Sequence, residues 1–470
     1  MSHFTDMPHQ QPMRYAPGGF KEFLVLAYPL ILSNASMTIM HFMDRLFLSW
    51  YGPEEIAASL PAGILAFTFL YFFIGVSQYT NTFVAQYYGA NRYSLIGMIV
   101  WQGVFFSLIG GLFSLLLLPV GIRFFDWAGL SPDIVHLQKI YFTTIYTGGV
   151  FFILNGALSS FFSGRGKTFS IMVITITANV INAILDYGLI FGVWGFPRWG
   201  IRGAAVATVV STAFMSFIYL ILILHSSNDR IFYTRKTFRF DGDMMLRLLR
   251  YGTPTGIQFV LDIGAFTAFV FLIGRLGNVE LAASNIVLSI NSLAFWPMEG
   301  ASIATATLIG QYIGRNNYRI AEKSAYTALI AVETYMLFFA LIYFLFPQAL
   351  MELFRGDNPN TTVSFTEVVH YGSQILILVA LYQISDAVIL TFSGVLRGAG
   401  DTTFAMWTSV CCSWLFFVPG IYLVLSVFKL GVIAAWIWAT IYLTLLGFIY
   451  IKRFRSGYWK TINLMSKTGH

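Results

Sequence analysis

The sequence predicts an all-α integral membrane protein with twelve transmembrane helices in two pseudo-symmetric six-helix bundles. Three observations carry this. The chain is 57% hydrophobic and 10% charged, against about 25% charged in soluble domains, so most of it has lipid as its solvent. Apolar stretches of membrane-crossing length recur along the chain. Motifs of the first half return in the second at a fixed spacing.

The apolar stretches fall at about residues 23–50, 56–79, 94–120, 135–162, 169–191, 203–225, 252–274, 281–308, 325–346, 366–395, 404–428 and 431–451, near or above the roughly 20 residues that cover a hydrocarbon core. Several carry helix breakers: Pro29, Pro61, Gly148-Gly149, Pro254, Pro297 and Pro419. A bilayer tolerates these where neighbouring helices or a water-filled cavity satisfy the freed backbone groups. A solute pathway is one reason for such a cavity. The first twenty residues are polar, contain Pro8, Pro12 and Pro17, and lack the apolar core and cleavage site of a secretory signal. The first span is therefore expected to stay in the mature protein. Cys411 and Cys412 are neighbours within one apolar span and build neither a disulfide framework nor a metal cluster.

Loop charges predict the orientation. With a cytoplasmic N-terminus, twenty Lys and Arg fall on that side, among them Arg92, Arg165, Lys167, Arg315, Arg319, Lys323 and the tail residues Lys452, Arg453 and Arg455; seven fall opposite, and Arg45 lies within the first span. The excess predicts both termini inside. The net charge of +7 sits in short loops, not on a continuous solvated face, so it speaks of topology and excludes a nucleic-acid partner. The longest cytoplasmic connection, 226–251, holds Arg230, Arg235, Lys236, Arg239, Arg247 and Arg250. It divides an N-lobe (1–225, spans one to six) from a C-lobe (252–470, spans seven to twelve).

The repeat crosses that linker. Gly52-Pro-Glu-Glu-Ile-Ala-Ala-Ser59 returns as Gly277-Asn-Val-Glu-Leu-Ala-Ala-Ser284, and Gln86-Tyr-Tyr-Gly-Ala-Asn91 as Gln311-Tyr-Ile-Gly-Arg-Asn316. Both pairs, and Pro29 with Pro254, are 225 residues apart; Gly164-Arg-Gly-Lys-Thr168 is echoed more loosely by Gly398-Ala-Gly-Asp-Thr402. An even number of spans separates the copies, so the halves share a topology and are related by a pseudo-twofold axis along the membrane normal. Transporters are built this way, with a pathway between the halves. The segment 164–168 suggests a phosphate loop, but position 161 is Phe161 where the motif requires glycine, and no strand precedes it.

Acids inside the spans are the functional candidates. A carboxylate at mid-membrane costs about 2.5–3.5 kcal/mol on insertion scales, so it usually faces a cavity. Asp44, in the first span, is open to a cation, a proton or its neighbour Arg45. Asn182 and Asp186 lie four apart, on one face of a helix, as a cation site or an interhelical hydrogen-bond pair. Glu299, beside Pro297, is open to cavity lining or helix packing, and His41, one turn from Asp44, reads as a packed or interfacial residue.

The paired Gln-Tyr-x-Gly loops, Tyr382-Gln383-x-x-Asp386 followed by Ser393-Gly-Val-Leu-Arg-Gly398, and Gly252-Thr-Pro-Thr-Gly256 together resemble the multidrug and toxic compound extrusion (MATE) family, in its NorM-like branch, over nearly the whole chain. The resemblance implies a secondary-active efflux transporter, not an enzyme and without a cofactor, exporting organic cations in exchange for Na⁺ or H⁺ by alternating access. It implies an N-lobe cation or proton site at Asp44, Asn182, Asp186 and Thr208, and a C-lobe site at Asp262, Tyr382 and Asp386. The branch often has Glu where this chain has Asp262. The expected setting is the inner cell membrane, as a monomer. Two other classes are carried beside it: a lipid-carrier flippase of the same superfamily, which would need a cationic cavity, and a channel or receptor without ion coupling.

Overall fold

The computed structural model describes residues 15–127, 131–355 and 365–464; Pro8 and Pro12 lie outside the described residues. Among the described residues, twelve helices are long and apolar enough to cross a membrane: α1 (Phe20–Tyr51), α2 (Pro53–Gly89), α3 (Tyr93–Trp127), α4 (Pro132–Ser163), α5 (Thr168–Phe191), α6 (Ile201–Leu224), α7 (Gly242–Gly274), α8 (Asn278–Gly314), α9 (Tyr318–Leu345), α10 (Phe365–Ala399), α11 (Thr402–Val427) and α12 (Gly431–Arg455). The chain is a multi-pass membrane protein.

The helix ends follow from local sequence. α2 starts with Pro53 in its first turn beside Glu54 and Glu55, where a missing N–H is harmless and acids meet the positive end of the helix dipole. The two copies of the Gln-Tyr-x-Gly motif end α2 and α8 in the same way. Asn91 (φ 58°) and Asn316 (φ 56°) are left-handed, a conformation asparagine tolerates. The Arg92 N–H reaches back to the Tyr87 carbonyl at 2.9 Å, as Asn317 does to Tyr312 at 2.9 Å. The phosphate-loop lookalike is a turn between two membrane helices, with Gly166 at φ 76° and its echo Gly400 at φ 96°.

Within each lobe the helices pack as a bundle, α1 on α5 and α2 on α4 in one, α8 and α9 on α10 in the other. The lobes meet where α1 packs on α8 and α2 on α7 and α8, contacts that a twofold axis exchanges. The depth of this meeting is uneven. One hydrophobic cluster joins both lobes at the face carrying the termini, with Phe83, Tyr87, Phe161, Ile309, Tyr312 and Leu396 among its members. Toward the opposite face each lobe closes its own core, around Phe269 and Trp436 in the C-lobe and around Leu70, Phe142 and Phe47 in the N-lobe.

Hydrogen bonds between the lobes repeat this asymmetry. Gln86 Nε2 donates to the Gly398 carbonyl at 3.0 Å, and its counterpart Gln311 Nε2 to the Gly164 carbonyl at 2.8 Å. Tyr79 and Thr82 donate to the Arg397 carbonyl at 3.3 and 3.1 Å, and Asn81 to Thr307 Oγ1 at 3.2 Å. Gly89 and Gly314 make the approach possible: a Cβ on Gly89 would overlap the Gln311 carbonyl, and one on Gly314 that of Gln86. All interlobe hydrogen bonds among the described residues lie in the half of the molecule nearer the termini, leaving a cleft toward the other face.

Candidate functional site

Asp44, near the cleft-side end of α1, is 6% exposed; Asn182 and Asp186 on α5 are 0% exposed and Thr208 on α6 is 3%. These polar side chains are nearly dry because α1 packs on α5 and α5 on α6. With its amide oriented by its surroundings, Asn182 places its nitrogen 3.0 Å from Asp44 Oδ1 and 3.2 Å from Asp186 Oδ2, and its oxygen accepts from the Thr208 backbone N–H at 3.3 Å. Four residues singled out in the sequence from three helices thus form one cluster. Thr208 Oγ1 donates to the Ala204 carbonyl at 3.0 Å, so its hydroxyl oxygen still offers lone pairs.

Asp186 Oδ1 is buried without a hydrogen-bond partner. An unpaired buried carboxylate costs several kcal/mol, and two sharing one amide need a proton or a cation between them. Arg45 is exposed and forms no ion pair with Asp44; His41 Nδ1 is 3.9 Å from Asp44 Oδ2, with its side chain 45% exposed. At that distance His41 makes no hydrogen bond to Asp44. The carboxylate and hydroxyl oxygens suit a hard monovalent ion, while the Asn182 nitrogen holds the two carboxylates in place. No group of three His, Cys, Asp or Glu able to hold a metal occurs among the described residues, so a zinc-type centre is not built here.

The C-lobe candidates are more dispersed. Tyr382 and Asp386 lie one turn apart on α10, 4% and 7% exposed. The Tyr382 hydroxyl accepts from Asn291 Nδ2 at 3.4 Å, and Gln383 Nε2 donates to Asn291 Oδ1 at 2.9 Å. Asp262 on α7 accepts instead from Ser409 on α11. No hydrogen bond joins Asp262 to Asp386, and Tyr442 of α12 lies within electrostatic reach of both. Glu299 accepts from Arg397 at 3.1 Å, and Arg397 also donates to Ser302 Oγ at 2.7 Å.

Asn291, Ser409 and Arg397 were not among the sequence candidates. Asn291 left a faint trace in Ser289-Ile-Asn-Ser292, a polar interruption of an apolar span. Ser409 left none. Arg397 stands where the sequence places a loop, because α10 continues to Ala399.

The family model MatE matches the chain twice, over residues 29–188 and 254–423. The chain belongs to the MatE family. The two matches start at Pro29 and Pro254, at the spacing of the internal repeat. MATE relatives include the probable multidrug resistance protein NorM of Thermotoga maritima, 27% identical over 459 residues and covering 96% of this chain and 95% of that one. The protein of the same description from Pseudomonas putida is 28% identical, covering 89% and 90%. Among solved structures, an outward-facing multidrug resistance MATE transporter superposes with a TM-score of 0.84 at 19% identity, covering 96% of this chain and 98% of that one. The eukaryotic MATE transporter AtDTX14 gives 0.83 at 20% identity, with 94% and 96% covered. The MATE fold and the twelve-span transporter architecture are thereby established for this chain.

Proposed function

We propose that this MATE protein is a multidrug efflux antiporter of the inner cell membrane, exporting organic cations against inward movement of Na⁺ or H⁺ by alternating access. The observation that carries the reading is the Asp44, Asn182, Asp186 and Thr208 cluster, a dry group of two carboxylates with a hydroxyl and an amide, with excess negative charge at the cleft-side end of a lobe. The ion binds there and the drug leaves through the cleft; alternation between the two couples the gradients. Asp386 with Tyr382, and Asp262 with Ser409, form the second acidic region, in the C-lobe. The lysine and arginine bias supports cytoplasmic termini, which makes the closed face cytoplasmic and the cleft outward-open. Both lobes and the cleft belong to one chain, so a monomer is the functional unit. A flippase for a pyrophosphate-linked lipid is disfavoured by intramembrane charges that are mainly acidic, Asp44, Asp186, Asp262, Asp386 and Glu299, with Arg397 paired to Glu299.

The test is uptake and release of a fluorescent organic cation in proteoliposomes under separately imposed Na⁺ and pH gradients. Asp44→Asn keeps the shape and removes the charge, and is expected to abolish gradient-driven exchange while the thermal unfolding midpoint stays within a few degrees. A folded Asp44→Asn protein that exports at the normal rate would refute the N-lobe role.

A further inference from the structure

Glu299 lies near the middle of α8, at the depth where the shared core ends and the cleft begins. Its side chain is 26% exposed and that of its partner Arg397 14%. Glu299 is within electrostatic reach of Tyr71 on α2, so it faces the other lobe and not the lipid. An ion pair in such a place is unusual. Both charges were carried into the membrane, yet the acid was left accessible from the cleft.

Arg397 has somewhere else to go. Beside it lies a cavity of about 70 Å³ between the lobes, lined by Gln78, Ser159 and Ser160 of the N-lobe and by Thr255 and Ile303 of the C-lobe. Two buried polar atoms there are without a hydrogen-bond partner, Thr255 Oγ1 and the Nε of Arg397 itself. A space into which several side-chain oxygens project, Thr255 Oγ1 unsatisfied among them, is a second seat for a guanidinium. The backbone carbonyl of Arg397 meanwhile holds the hydroxyls of Tyr79 and Thr82 across the closed face.

We propose that Glu299 is the group that reads the charge of the transported molecule, and that Arg397 is its exchangeable internal stand-in. The proposal rests on the organic-cation reading above. A cation seated at Glu299 displaces the guanidinium, and the acid stays neutralised because one positive charge replaces another. An electroneutral molecule has no means of displacing it. Arg397 then turns into the neighbouring cavity, toward Thr255 Oγ1 and beside the hydrogen bonds that keep the far face shut, so that occupation by a cation bears on the closure at its foundation. Selectivity and release of the closed face thereby depend on one salt bridge.

Two probes of similar size separate this from a structural salt bridge: tetraphenylphosphonium, a cation, and triphenylphosphine oxide, which is neutral. Affinity for each is measured on purified full-length protein and on variants verified as folded by thermal unfolding. Glu299→Gln is expected to weaken tetraphenylphosphonium about 10- to 100-fold, the worth of a charge-assisted contact, and to leave triphenylphosphine oxide unchanged. Arg397→Gln is expected to act in the opposite sense, tightening the cation about tenfold, the effect of removing a competitor that would occupy Glu299 about nine-tenths of the time. Equal losses for both probes in Glu299→Gln, or movement of both variants in the same direction, would overturn the proposal. Should Arg397→Gln fail to fold, the ratio of the two probe affinities in Glu299→Gln alone decides, and an unchanged ratio refutes the role. Wild-type protein that neither binds the cation nor moves it under any gradient would instead overturn the transport reading, and this inference with it.

Discussion

An amide beside two buried carboxylates, as Asn182 stands beside Asp44 and Asp186, can give one hydrogen to each and so hold them side by side. Their remaining lone pairs stay available to an ion. Asn182→Leu keeps the branched shape but supplies no donor; loss of the two hydrogen bonds is expected to lower gradient-driven exchange by about 10- to 100-fold, read as initial rate in proteoliposomes. A variant within twofold of wild type would leave the amide a packing group. The acids were legible in the sequence because a carboxylate within an apolar span is expensive and needs a reason. Asn182 was legible through its spacing from Asp186, and Thr208 only through resemblance. Ser409 was illegible for the converse reason: a hydroxyl in a membrane helix can satisfy itself on the carbonyl four residues back, as Thr208 does, so its presence carries almost no information.

At the scale of the helix, existence and order could be read and some ends could not. The sequence ends the second span near residue 79, where Thr80-Asn-Thr82 looks like a polar exit from the membrane; in the structure the helical path continues to Gly89. The reason lies in the other lobe, where Thr307 and the Arg397 carbonyl satisfy Asn81 and Thr82. Similarly α7 begins at Gly242, ahead of the apolar stretch, because Asp241 caps it by accepting from the Met244 N–H at 2.9 Å. Around Pro419, α11 widens into π-helical turns at Cys411–Phe417 and Leu423–Val427, a local adjustment that re-satisfies the backbone groups a proline leaves free. The tight ends of α2 and α8 carry a prediction. Gly89→Ala, or Gly314→Ala, forces the facing carbonyl away at an overpacking cost of about 1–3 kcal/mol. The closed face should open correspondingly more often, read as about 5- to 150-fold faster thiol labelling of a Ser159→Cys reporter in the interlobe cavity. Unchanged labelling would contradict the role of these glycines.

For the whole molecule, composition and the 225-residue repeat were enough to read two six-helix lobes; which end of the interface was shut was not, since the repeat is blind to it. The mirrored bonds Gln86 to Gly398 and Gln311 to Gly164 predict that Gln86→Leu and Gln311→Leu are equivalent. Each removes one interlobe hydrogen bond, worth about 0.5–1.5 kcal/mol net, and should raise labelling of the same reporter to a similar extent. A strongly unequal pair would show that the closure is not governed by the twofold. Orientation has its own check, independent of coupling: a cysteine at Ser227 should react with an impermeant thiol reagent only from the cytoplasmic side, and one at Trp194 only from outside. Reaction of both from one side would overturn the proposed topology.

The crossed glycines and glutamines are contacts of the kind made by two copies of one subunit, where each patch meets its own counterpart. In such a dimer every substitution is felt twice, and an acid placed in one copy appears in the other. Joined in a single polypeptide, the halves escape that constraint. Position 44 is Asp44, while its counterpart 225 residues on is Phe269, and Asp262 answers to Met37. Fusion has kept the hinge a duplicate while allowing the charges to become individual, so that one half can specialise without disturbing the movement both must share.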